Sequence, residues 1–214
     1  PNLFAQDTLD VAWDAIGSLN AAIEGDTLVD GSRNPNRVYR LARDGYYLID
    51  GSLTIEGKYD LKIVGADGDG ARPLLIPATE EGSSSRLFQL NAGCDLKSLY
   101  CTDINDLGQI SPKNMFRFYG DSSISYIDDC YFDGDAQAFL RMNNPDEKIY
   151  ITNSIFRNAA SGLDPWDGLF ISARGGYQHT IWLQNCTFFV ASNRFIQLYG
   201  GTVRNLYIDH CTFA

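Results

Sequence analysis

The residues best suited to chemistry in this chain are carboxylates, and four of them gather in one stretch. Asp133, Asp135, Asp164 and Asp167 fall within 35 residues, and Trp166 stands among them. Two carboxylates flanking a glycosidic bond are the equipment of a hydrolase, and an indole can stack on a sugar ring. The bland reading of the same residues is an acidic, solvated loop. Asp67-Gly-Asp69-Gly and Asp133-Gly-Asp135 offer oxygen ligands at short spacing, compatible with Ca²⁺, although each also reads as a turn. No cofactor is required by the pattern, and Ca²⁺ is the one ion it would suit.

Other chemistries find less. The two histidines, His179 and His210, have no evident nucleophile beside them, so a triad is unsupported. Five cysteines contain no C-x-x-C pair, which speaks against zinc or thioredoxin-like redox chemistry. The formal charge of −10 opposes nucleic acid and anionic lipid. By the same argument an acidic polysaccharide is repelled unless Ca²⁺ bridges the two. No apolar run reaches the roughly 18 residues that insertion across a bilayer needs.

The elements that must position these residues follow from a repeat. Ser125–Phe132, Ile149–Phe156, Ile181–Phe188 and Leu206–Phe213 align without gaps, and Lys97–Ile104 aligns loosely, with Thr102 at the Cys or Ser position. The closing residues Ile104, Phe132, Phe156, Phe188 and Phe213 are spaced by 28, 24, 32 and 25. A second column precedes them, in Phe88-Gln-Leu90, Phe116-Arg-Phe118, Leu140-Arg-Met142, Ile171-Ser-Ala173 and Ile196-Gln-Leu198, spaced by 28, 24, 31 and 25. Two columns keeping step imply stacked coils of about three short strands each, with apolar and outward residues alternating. Asp129, Asn153, Asn185 and His210 belong to the residue types that best tolerate φ > 0, so they mark a one-residue corner. Cys130, Ser154, Cys186 and Cys211 then face inward as thiols or hydroxyl, with no disulfide expected. Length variation gathers at 133–139, 157–170 and 189–195, as loops on one face. In this frame Arg117 and Arg141 are neighbours on adjacent coils, able to fork onto a carboxylate or a sugar hydroxyl. Solvated arginines neutralising nearby acids are the plainer alternative.

The predicted fold is all-β: a right-handed parallel β-helix with 24–32-residue coils, one domain over 1–214. An amphipathic helix over 7–25 caps its start, with Leu9, Ala12, Trp13, Ile16, Leu19 and Ile23 as its stripe. Coils follow over 26–214, starting with strands at 25–29, 38–47, 53–55 and 61–65. Ending at Phe213-Ala214 without a polar last coil suggests either the N-terminal part of a longer β-helix or stacking of another copy on that end.

A helix followed by Gly25-Asp-Thr27, Arg43-Asp-Gly-Tyr-Tyr47 and Leu61-Lys-Ile-Val-Gly65 resembles the opening of pectin-lyase-like right-handed β-helix proteins. That resemblance implies a secreted or cell-surface protein, either a structural, adhesive or glycan-binding module or a polysaccharide lyase or hydrolase. It implies a groove along the outer column Gln89, Arg117, Arg141, Ser172 and Gln197, with Trp166 beside it. A lyase would need a base, for which Lys113 in a loop leading to that column is the available lysine, or else an arginine. The Asn-Gly-rich signature of alginate and chondroitin lyase relatives is missing from the chain. The partners implied are a polysaccharide or, through the last coil, other copies of the chain.

Overall fold

The computed structural model describes residues 7–26, 28, 34–57, 59–78, 86–159, 167–174 and 176–214. They form a parallel β-solenoid of about seven turns with about 28 residues per coil. Strands are numbered in chain order, and each coil contributes one strand to each of three sheets. The eight-stranded sheet runs β1 (Asp7–Val11), β2 (Arg37–Leu41), β5 (Leu61–Gly65), β8 (Cys94–Lys97), β11 (Ile124–Asp128), β14 (Lys148–Thr152), β17 (Tyr177–Gln184), β20 (Thr202–Asp209). The six-stranded sheet holds β4 (Leu53–Ile55), β7 (Phe88–Leu90), β10 (Phe116–Phe118), β13 (Ala138–Met142), β16 (Leu169–Ala173) and β19 (Arg194–Leu198). The seven-stranded sheet holds β3 (Tyr46–Ile49), β6 (Leu74–Pro77), β9 (Tyr100–Thr102), β12 (Tyr131–Asp135), β15 (Ile155–Ala159), β18 (Thr187–Ala191) and β21 (Thr212–Phe213).

Period-two alternation does the sorting. In β14, Ile149 and Ile151 are buried while Lys148, Tyr150 and Thr152 face out. Because like positions stack in register, one apolar residue per coil becomes a column. Phe132, Phe156, Phe188 and Phe213 form a single stacked row with ring centroids 4.5, 5.2 and 5.0 Å apart. Each such ring contributes about 2–3 kcal/mol through burial and about 1 kcal/mol more through ring pairing.

The corner column also stands as expected. Asp129, Asn153, Asn185 and His210 have φ of 53, 51, 53 and 49°. Their side chains continue the stacking: Asn153 Nδ2 donates to Asp128 Oδ1 (2.8 Å), and Asn185 Nδ2 donates to Asn153 Oδ1 (3.2 Å). Next to the corner, Cys130, Ser154 and Cys186 are buried and Cys211 is half-buried, all cysteines being free thiols.

Three expectations are corrected. First, the loose repeat is displaced: Ser98 (φ 55°) is its corner, and Cys101 pairs with Phe132, so Ile104 does not close that coil. Leu99 therefore takes the place assigned to Thr102. Second, the helix is not 7–25. Asp7–Val11 is β1, paired with β2, and the helix α1 is only Ser18–Gly25. Trp13 and Ile16 are 50% and 62% exposed, so a strand ending at Val11 had lent its residues to a false helical stripe. Gly17, with φ of 72°, precedes α1 in place of a side-chain cap. Leu19 and Ile23 nevertheless pack into the core, and Asn20 bonds both ways with Asp50, seating α1 on the first coil. Third, 38–47 is two strands, β2 and β3, divided at Asp44 (φ 58°). Of the strand expected at 25–29, Gly25 ends α1, and Thr27 and Val29 lie outside the described residues.

Candidate functional site

Outward side chains of the six-stranded sheet make one continuous column. Thr54, Gln89, Arg117, Arg141, Ser172 and Gln197 are in register from coil to coil. They are not solvated: Ser172 is buried, and the Arg141 side chain is only 13% exposed. Asp167 stands against this face beside Arg141, and Asp135, close enough to feel both charges, ties in the 103–115 turn through Met115.

Four arginines converge there. Arg117 and Arg141 occupy the centre, while Arg86 stands three residues before the column position Gln89 and Arg174 two residues after Ser172, each just outside its strand. Arg86 Nη1 reaches Gln89 Oε1 at 3.5 Å, and Arg174 Nε donates to Ser172 Oγ at 3.1 Å. Arg117 and Arg174 lie over the rings of Tyr119 and Tyr199, at 4.5 and 5.5 Å. Arg141 Nη2 is 3.9 Å from Asp167 Oδ1. Nε of Arg86, Arg117 and Arg141 is buried without a hydrogen-bond partner among the described residues. Burial, together with the neighbouring Arg174, lowers the pKa of Arg141; burial and Arg117 do the same to Arg86. Cations crowded on a partly desolvated face destabilise one another.

Beneath the arginines lie two fully buried carboxylates. Asp135 accepts from the backbone N–H of Met115 and of Gln137, both at 2.7 Å. Asp103 has no hydrogen-bond partner on either oxygen among the described residues, and neither has Oδ1 of the buried Asn114 beside Met115. Burial raises the pKa of both acids. For Asp103 the nearby Asp135 adds to the rise and Arg86 opposes it; for Asp135 the two N–H donors and Arg141 oppose it.

The predicted site residues are thus partly assembled and partly dispersed. Arg117, Arg141, Gln89, Gln197, Asp135 and Asp167 share the one face. Asp133 does not: Gly134 (φ 72°) kinks the chain, and Asp133 points from the seven-stranded sheet. There it accepts from Arg157 Nη2 (2.6 Å), Asn158 Nδ2 (2.7 Å) and Tyr100 OH (3.1 Å). Lys113 is half-buried in the 103–115 turn, its N–H held by Ser111 Oγ at 3.3 Å. Asp67 lines a groove on the eight-stranded sheet, and Asp69 is exposed. The four Ca²⁺ candidates are therefore not one cluster, and among the described residues no three of His, Cys, Asp and Glu gather to hold a metal. Asp164 and Trp166 lie outside the described residues. Arg86, Arg174, Asp103 and Asn114 were missed; Arg174 keeps the period-two phase of Ser172 and was legible by that rule, whereas Arg86, three residues from Gln89, does not.

Fold and face together define a parallel β-helix with a cationic strip on an otherwise acidic molecule. No family model matches the chain, and neither a curated protein nor a solved structure does.

Proposed function

We propose that this β-helix binds an acidic polysaccharide along the outer face of its six-stranded sheet. The supporting observation is the convergence of Arg86, Arg117, Arg141 and Arg174 on one half-buried face of a chain whose net charge is −10. A row of carboxylates or sulfates would relieve the mutual repulsion of the guanidiniums and supply bidentate acceptors. Aromatic rings under Arg117 and Arg174 hold two of the forks in place. The net charge does not forbid this, since at physiological salt charges farther apart than about 8 Å are screened. Membership of the pectin-lyase-like group, and a place outside the cell or on its surface, belong to the same proposal.

Affinity electrophoresis with polygalacturonate, alginate and chondroitin sulfate, against neutral dextran, tests the reading. Retardation by the acidic polymers alone is expected, with R117A/R141A at least about tenfold weaker, which is about 1.4 kcal/mol. Equal retardation of the double variant, or none of the wild type, overturns it.

The buried Asp103 and Asp135 support a second reading, in which the same face cleaves its polymer. Environments that push carboxylate pKa values upward supply proton donors near neutral pH. New absorbance near 235 nm would mark a lyase, and new reducing ends without it a hydrolase. Neither signal, with or without Ca²⁺, would reduce the function to binding.

A further inference from the structure

The buried acids beneath the arginines make up a set of acceptors with too few donors. Asp103 directly follows β9 and is fully buried. Its N–H is shared between the carbonyls of Asp133 and Gly134, at 3.4 and 3.3 Å, which fixes it alongside the strand that carries Asp135. Neither of its carboxylate oxygens meets a donor among the described residues, and Oδ1 of Asn114, buried near the end of the same turn, meets none either. Asp135 is equally buried, but its oxygens take the N–H of Met115 and of Gln137, each at 2.7 Å. Unpaired acceptors are costly in a dry interior, and two neighbouring carboxylates stay charged there only where cations face them.

Cations do face them, but too weakly to keep both acids charged. Burial lifts Asp103 far above the ordinary carboxylate range, with Asp135 adding to the rise and Arg86 opposing it. Burial lifts Asp135 to about 7, opposed by the N–H of Met115 and of Gln137 and by Arg141, and aided by Asp167. The two titrate as a pair: at neutral pH the free chain holds one proton, on Asp103, and is near the midpoint of gaining a second. An acidic polymer on the outer face engages Arg86 and Arg141 from the other side. Across that partly dry face its charges are poorly screened, and they cancel the attraction that keeps Asp135 ionised. Building on the binding reading above, we propose that Asp103 and Asp135 together take up a proton from solvent when an acidic polymer fills the arginine strip, so that the strip holds the polymer more tightly as the pH falls. The added proton also supplies an O–H donor to a cluster whose oxygens lack one. By linkage, protonation and polymer binding strengthen each other by the same factor. A tenfold easier protonation in the complex makes binding about fivefold tighter at pH 6 than at pH 8, the gain being lost as the pH rises through about 7.

Isothermal titration calorimetry of the intact chain with dextran sulfate, whose sulfates exchange no proton in this range, tests the coupling. At pH 7 in PIPES, HEPES and Tris, buffers of different ionisation heat, the change in observed heat from buffer to buffer counts protons. Uptake of up to about half a proton per bound chain is expected, since an acid titrating at about 7 is half ionised there. Titrations from pH 6 to pH 8 should show the fivefold weakening. The variant D103N/D135N, first shown to keep its circular dichroism, is neutral at both positions at every pH. It should bind without proton uptake, with the same affinity across the series, and more tightly than the wild type at pH 8. Binding with the same heat in all three buffers overturns the proposal and leaves the binding reading standing, whereas no binding of dextran sulfate or of the other acidic polymers overturns both. Proton release in place of uptake, or uptake that persists in D103N/D135N, also overturns it. The wild-type proton count is decisive even where the variant fails to fold.

Discussion

Glu147 shows what one residue can hold in reserve. It is buried at the turn before β14, among Phe118, Ser123, Ser125, Met142 and Ile149, with no hydrogen-bond partner on either carboxylate oxygen among the described residues. Burial pushes its pKa from 4.5 up to about 9, Asp121 adds to the rise, and the Asn144 backbone opposes it. The folded chain therefore keeps this proton to higher pH than the unfolded chain does. The sign follows: stability is greatest below the ordinary glutamate pKa and declines as pH rises from about 4.5 through about 9. Glu147→Gln should remove that decline and add about 3 kcal/mol at pH 7. Urea titrations at pH 5 and pH 8 check this, and equal stabilisation at both values would contradict it. Nothing in the local sequence Pro145-Asp-Glu-Lys148 distinguishes Glu147 from a solvated turn acid. Its burial depends on which side of the chain the next coil covers.

At the scale of elements, strand and corner chemistry were readable because the solenoid repeats them. Each of four coils presents the same sequence of inward apolar, corner Asp, Asn or His, inward Cys or Ser, and inward Phe, and repetition suppresses chance. Where the repeat is met once, reading failed. The coil at 97–104 uses Ser98 for its corner and Cys101 for its closing residue, so no Phe announced the register. The first element failed for another reason: Leu9 belongs to β1, but with Ala12, Trp13, Ile16, Leu19 and Ile23 it mimics helical spacing over two unrelated segments. The stacked row makes a firm prediction. Phe156 is fully buried between Phe132 and Phe188, and Phe156→Ala should cost about 3–5 kcal/mol. Because neighbouring coils stabilise each other across that contact, its denaturant midpoint should fall sharply. A loss below about 1 kcal/mol would mean that the column does not carry the core.

For the whole molecule, charge distribution matters more than charge total. A net −10 read as a uniform shell repels acidic polymers, yet the structure gathers two arginines on the outer column of one sheet and two more just beyond its strands, and leaves most carboxylates elsewhere. Two opposite responses to salt follow. Raising NaCl from about 10 to about 200 mM should screen the self-repulsion of the acidic shell and raise the melting temperature. The same change should weaken binding of acidic polysaccharide, where the attraction is direct. Calorimetry of the free chain and affinity electrophoresis across one salt series separate the two, and parallel trends would argue against a cationic strip as the binding face.

The amino-acid order by itself determined the coil: alternation and a positive-φ corner are local matters, settled by a residue and its near neighbours. It also determined the outward column of Gln89, Arg117, Arg141, Ser172 and Gln197, because stacking in register carries a local phase from coil to coil. Only the tertiary structure decided what covers that column. The turn that buries Asp103 and Asn114 and the kink at Gly134 that parts Asp133 from Asp135 depend on loop path and coil offset. Those quantities are set by packing between residues 20 to 34 positions apart, and no short stretch of chain encodes them.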